Sequence, residues 1–205
     1  TGMSREEAYS LIPSLNDMGR AAGATTTEMA ALTAEYMKQG RTTKDSLQLA
    51  TTTAKAAKIS GLSTADTVEY LTSAINGFNL SANEAVHVSD VFAKTAAATA
   101  TDFKDLAIAL SKVGAQANSA GMSLEFTTAL LAKGMETTQE APESIGTALK
   151  TVVARMRELS DYGETLEGDT DINNVESQLA YVGIALRDTN GELRSTEDVL
   201  DELGK

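Results

Sequence analysis

Apolar residues recur along this chain at intervals of three and four, the spacing of one helix face, and each run is short. Ala8, Leu11, Ile12, Leu15 and Met18 form the first stripe, over residues 4–19, with Pro13 placed to kink or end that helix. Met29, Leu32 and Tyr36 form the second, which Gly40 stops. Leu47, Ala50, Ala54 and Ala57 face inward on the third. The fourth, from about Thr64, carries Val68, Leu71, Ile75 and Phe78, and the fifth, from about Ala82, carries Ala85, Val88 and Phe92. Phe103, Leu106, Leu110, Val113 and Ala117 then keep one face for about four turns. Gly114 inside that helix costs about 1 kcal/mol against Ala, which predicts a close crossing with a neighbour. Residues 124–137 follow, and a long helix starts near Pro142. Its Ile145, Leu149, Val152, Met156 and Leu159 repeat at 4, 3, 4, 3. That interval matches a coiled-coil seam, but it is short enough to read as a core stripe.

The joints share one chemistry. Gly61-Leu62-Ser63-Thr64-Ala65-Asp66, Asn79-Leu80-Ser81-Ala82-Asn83-Glu84 and Gly121-Met122-Ser123-Leu124-Glu125 each stop one helix and start the next. Gly or Asn takes the left-handed conformation that closes a helix, and the Ser hydroxyl meets the open N–H groups of its successor. Thr25 with Glu28, Ser63 with Asp66 and Ser81 with Glu84 keep capping-box spacing. Thr42-Thr43-Lys44-Asp45 and Thr99-Ala100-Thr101-Asp102 read as two more helix starts.

After residue 160 the texture changes. Asp161, Glu164, Glu167, Asp169, Asp171 and Glu176 occur with no basic residue among them, which reads as a solvated linker or loop over residues 161–176. Ile184 to Arg187 and Glu192 to Arg194 flank Asp188-Thr189-Asn190-Gly191, a β-hairpin signal. Ser195-Thr196-Glu197-Asp198 caps a last helix with Val199, Leu200 and Leu203 on one side. The expected fold is therefore all-α, a compact bundle of about eight to ten short helices with one small C-terminal β-hairpin. Residues 1–160 would be the helical core domain and residues 177–205 a hairpin-plus-helix annex.

Composition narrows this further. With 205 residues the chain can bury a real core. Aromatics are only 4%, so the core is built from thin, closely packed helices. The absence of Cys excludes disulfides, thiolate metal sites and Cys nucleophiles. No apolar run approaches the roughly 18 residues of a membrane span, and the Ala-rich run Ala93 to Ala100 is broken by Thr95 and Thr99. It reads as close packing inside the domain. The opening Thr1-Gly2 has no initiator Met and no signal-peptide pattern, and reads as the start of a piece of a longer protein.

The net charge of −12 is uneven. Residues 1–60 carry 7 basic and 6 acidic groups (+1), residues 61–135 carry 4 and 7 (−3), and residues 136–205 carry 6 and 16 (−10). An acidic surface repels phosphate, which argues against sequence-independent nucleic-acid binding.

The candidate chemical groups are weak. Glu84-Ala85-Val86-His87 has the Glu-x-x-His spacing of di-iron bundles, but His87 is the one His in the chain, so the second pair is lacking. Asp169-Thr170-Asp171-Ile172-Asn173 and Asp188-Thr189-Asn190-Gly191 hint at calcium loops, yet Ala180 and Val199 stand where the bidentate acid belongs. Glu143-Ser144 is similar to the Glu-Ser dipeptide of lytic transglycosylases, whose Glu is the general acid/base. Here Thr147-Ala148-Leu149-Lys150 replaces the Gly-Leu-Met-Gln-like segment of those enzymes. Glu143 also follows Pro142, in a first turn where an acid suits the helix dipole. No catalytic, cofactor-binding or metal-ligating residue is assigned, and no cofactor is implied.

A family resemblance carries the reading further. Ala21-Ala22-Gly23-Ala24-Thr25-Thr26-Thr27-Glu28 leads to Gly40-Arg41-Thr42-Thr43, followed by Gly61-Leu62-Ser63 and Gly77-Phe78-Asn79-Leu80-Ser81. Then come Val91-Phe92-Ala93-Lys94-Thr95-Ala96, Ala109-Leu110-Ser111-Lys112-Val113-Gly114, Gly121-Met122-Ser123 and Gly146-Thr147-Ala148-Leu149. Gly183-Ile184-Ala185-Leu186-Arg187-Asp188, Gly191-Glu192-Leu193-Arg194 and Val199-Leu200 close the series. In order and spacing these resemble the conserved core region of phage tail tape measure proteins, over residues 20–160 and 183–203. The resemblance implies a structural, non-enzymatic virion protein in the tail tube lumen, assembled in the host cytoplasm, setting tail length and leaving ahead of the genome at ejection. It implies as partners further copies of the chain, the tail tube protein, tail-tip or baseplate proteins and tail assembly chaperones. Two other readings stay open: a cell-wall lytic domain using Glu143, and a cellular helical adaptor.

Overall fold

In a computed structural model, the structure describes residues 4–162, 180–181, 183–192 and 194–203. The helices run α1 (Arg5–Ser10), α2 (Ile12–Ala22), α3 (Thr26–Lys38), α4 (Thr43–Ser60), α5 (Thr64–Gly77), α6 (Ala85–Ala98), α7 (Phe103–Ser119), α8 (Leu124–Thr138), α9 (Pro142–Tyr162) and α10 (Thr196–Leu203). A single 3-10 turn, Ala82–Glu84, precedes α6. Pro13 does end a helix. It has no N–H to return to the preceding turn, so the chain breaks at Leu11 and Pro13 sits in the first turn of α2. The first stripe is only partly used: α1 buries none of its residues, whereas Leu15 of α2 is buried.

The joints form as their chemistry predicts. Gly61 (φ 68°), Asn79 (φ 53°) and Gly121 (φ 75°) all take the left-handed conformation. Thr25 accepts from the Glu28 N–H while the Glu28 carboxylate accepts from the Thr25 N–H at 2.7 Å, a complete capping box. Ser63 and Asp66 make half of one. The shorter Asp side chain takes the Ser63 hydroxyl at 2.7 Å, and Ser63 Oγ accepts the Asp66 N–H at 3.1 Å.

α7 is the centre of the bundle, packed against α5, α6, α8 and α9. Its Leu106, Ala107, Ala109, Leu110, Val113 and Ala117 are all buried. Phe92 and Phe103 meet edge to face, ring centroids 5.1 Å apart, a geometry favoured by the ring quadrupoles. The close crossing predicted at Gly114 is with α5. A Cβ on Gly77 would stand 3.2 Å from the Ala115 nitrogen, and one on Gly114 would stand 3.3 Å from the Phe78 ring. α9 crosses α7 more tightly still, because a Cβ on Gly146 would overlap the Ala109 carbonyl oxygen.

The core stripe read on α9 is corrected at Val152. Leu149 and Val153 are buried, whereas Val152 is 44% exposed. An unsupercoiled helix of 3.6 residues per turn brings 149, 153 and 156 to one side, where a heptad would use 152.

The C-terminal β-hairpin is also corrected. Among the described residues there is no strand, only an isolated bridge at Arg187. The Asp188 carboxylate accepts the N–H groups of Asn190 at 2.8 Å and Glu192 at 2.9 Å, a local Asx closure. The chain then enters α10 at Thr196, which leaves too little length to extend a ladder. Ile184, Leu186 and Val199 are buried together against Met156 of α9, and Leu200 packs on the main core. The acidic stretch expected over 161–176 lies outside the described residues from Gly163 onward.

Candidate functional site

The residues singled out for chemistry are not brought together. The hydrogen bond His87 makes is with Glu125 and not with Glu84: its Nε2 lies 2.6 Å from Glu125 Oε1, tying α6 to α8. Glu84 is occupied with Ser81, accepting its N–H and its hydroxyl at 2.8 Å each. These bonds hold the Glu84 carboxyl below the usual carboxylate range, the backbone bond contributing most. Among the described residues no group of three or more His, Asp or Glu could hold a metal ion. Asp188 closes its own turn, and the Asp169–Asn173 loop lies outside the described residues.

Glu143 is exposed on the first turn of α9, beside neither of the grooves described below. Its carbonyl accepts the Thr147 hydroxyl at 2.7 Å. The Ala93 to Ala100 run ends α6 with Ala97, Ala98 and Ala100 exposed, so it is not the close packing expected. No helix among the described residues is long and apolar enough to cross a membrane.

Two surface grooves stand out among the described residues. One, of about 730 Å³, runs between α3 and α5, with Leu32 and Val68 in its floor and Glu28, Glu35 and Glu69 on its rim. Its carboxylates are partly committed, Glu28 to the α3 cap and Glu35 to Lys38 at 3.2 Å. It holds no His or Cys that could act as a nucleophile's base or as a nucleophile. The other groove, of about 250 Å³, lies between α2, α4 and α6 and is lined by Met18, Ala56, Ile59 and Val86. Ile59 stands off the inward stripe Leu47, Ala50, Ala54, Ala57. That was the available signal for this groove, and periodicity alone assigned it no use.

This is a helical scaffold with surfaces and no assembled reaction centre among the described residues. Residues 13–205 match the family model for the phage-related minor tail protein. The chain belongs to that family. It is also 37% identical over 113 residues to the tape measure protein of Pneumococcus phage Dp-1. The matched segment is 50% of this chain and 10% of that relative, so the chain spans a small part of the relative's length. No solved structure matches. As a family member, the chain belongs among phage tail components, in agreement with the resemblance carried by its turns.

Proposed function

We propose that this chain is a non-enzymatic structural segment of a tail tape measure protein, contributing to tail length determination, tail assembly and genome ejection. The observation that carries this reading is the family match over nearly the whole chain, joined by the likeness to the Dp-1 tape measure protein. Its place would be the lumen of the tail tube, reached during assembly in the host cytoplasm. Its partners would be further copies of itself, the tube protein, tail-tip or baseplate proteins and assembly chaperones.

The packing suggests how such a segment works. As one continuous helix, 205 residues would extend about 300 Å at roughly 1.5 Å per residue. As a compact domain the same chain is roughly 30 to 40 Å across. Ala is the commonest residue of the buried core and aromatics are few in it, so helices held largely by aliphatic contacts could exchange one packing for another across a small free-energy gap. In the tail the segment would be stretched, its apolar stripes covered by other copies or the tube wall, and it would refold on release.

The test is an in-frame duplication of the segment in the phage that encodes it, with tail lengths measured by electron microscopy. Lengthening by about 300 Å supports a stretched length-setting segment. Unchanged tail length overturns the length-determining role, and a compact bundle seen inside the tube overturns the stretching.

A further inference from the structure

Among the described residues, the two most exposed large aliphatic side chains are Ile59 (69%) and Val86 (49%). They belong to different helices, α4 and α6, yet they line the same groove over Met18 and Ala56. Scattered exposed apolar residues are ordinary on a protein surface, and these two are set apart by sharing one concavity. Lys55 stands on the α4 wall of this groove and Asp90 on the α6 wall. Both are exposed, and neither pairs with the other or with any described residue.

We propose that this groove is an isologous contact between two copies of the chain. A two-fold axis through the groove brings each copy's Lys55 to the partner's Asp90, and each Ile59 beside the partner's Val86. A patch that carries one charge of each sign on opposite walls is complementary to its own two-fold image, which is the requirement of such an interface. A foreign partner has no need of that arrangement. The groove's volume of about 250 Å³ takes aliphatic side chains, and is too small for an inserted helix. The contact belongs to the compact domain, because its lining comes from three packed helices, and it stands on the groove alone. A monomeric chain would remove the contact and leave the tail assignment, which is tested in virions.

The experiment is sedimentation equilibrium of the 205-residue chain, with thermal melts to show that each variant folds. The wild type should form dimers, and Ile59→Glu should abolish them. Lys55→Glu and Asp90→Lys should each weaken dimerisation on the order of tenfold or more, because each places like charges opposite one another. Mixing these two variants restores two opposite-charge pairs across the axis, so the mixture should form heterodimers more tightly than either variant pairs with itself. A wild type that stays monomeric up to about millimolar concentration overturns the proposal. So does a dimer that persists in Ile59→Glu, or a mixture that associates no better than its components.

Discussion

The Glu197 carboxylate accepts the backbone N–H of Ser123 at 2.8 Å, from 74 residues further along the chain. Ser123 Oγ lies 3.3 Å from the other carboxylate oxygen, while itself accepting the Phe126 N–H at 3.2 Å. In α3 the same position is served by Glu28, from within the helix it caps. α8 has Phe126 where that acid would stand, and its capping box is completed by α10. One carboxylate thus ties the C-terminal helix to the helical core.

Removing that carboxylate should loosen two places together. Glu197→Ala should cost about 1 kcal/mol in chemical denaturation, the range of a lost cap. It should also speed hydrogen exchange at the Ser123 amide. Glu28→Ala should cost a similar amount without touching that amide. Unchanged exchange at Ser123 in Glu197→Ala would count against the shared cap.

The α7–α9 crossing should be intolerant of a methyl group. A Cβ at position 146 overlaps the Ala109 backbone, which cannot move aside as a side chain can. Gly146→Ala should therefore destabilise by about 1–3 kcal/mol despite its better helix propensity. At Gly134 the neighbour is the Ile145 side chain at 3.0 Å, which can rotate away, and Gly134→Ala should be far milder. Equal melting temperatures for the two variants would contradict this view of the crossing.

Acid should weaken the capped helix starts first. The Glu7, Glu28 and Glu84 carboxyls are each held below the usual 4.5, chiefly by the backbone N–H of the cap residue. A group whose folded value is depressed contributes stability above its unfolded value and loses it as pH falls through the folded one. Helicity followed by circular dichroism should thus decline as pH drops below about 4.5. Glu28→Gln should flatten that decline, and an identical acid profile would show that the cap is not involved.

Alkali acts through Tyr36, whose hydroxyl is buried 2.6 Å from Thr53 Oγ1. Burial raises its pKa above the usual 10.0, outweighing the hydrogen bond to Thr53. A raised folded value means the contribution is whole below the unfolded value and is lost as pH rises through the folded one. Unfolding should become easier above about pH 10 in the wild type and less so in Tyr36→Phe. The variant should itself cost about 1–2 kcal/mol at neutral pH, since Thr53 loses its buried partner. A wild-type alkaline limb that matches the variant's would sink the assignment.

Helix positions and joints are local matters, and the amino-acid order alone determined them. Gly61, Asn79 and Gly121 can turn left-handed whatever surrounds them, and Thr25 finds Glu28 one turn away. The apolar stripe from Phe103 to Ala117 placed α7 in the core for the same reason. Buried Thr33, Thr52, Thr53, Thr67, Thr127 and Thr128 were less legible. Most return their hydroxyls to the carbonyl four residues earlier, as Thr128 does to Leu124 at 2.7 Å, and so need no outside partner.

What depended on residues far apart in the chain only the tertiary structure decided. Two apolar neighbours at 152 and 153 are equivalent to a periodicity argument until the assembled helices bury Val153 and leave Val152 exposed. The Asn190-Gly191 signal describes a turn, and its flanks do meet there, the Asp188 N–H donating to the Glu192 carbonyl at 2.8 Å and the Arg194 N–H to the Leu186 carbonyl at 3.0 Å, but α10 begins at Thr196 and the pairing goes no further than a bridge. His87 could be read beside Glu84 one turn away, until packing of α6 on α8 supplied Glu125. The groove between α4 and α6 exists only because Ile59 and Val86, 27 positions apart, are carried to one place. Spacing along a chain specifies which side of a helix a residue occupies, and the assembled packing specifies what that side meets.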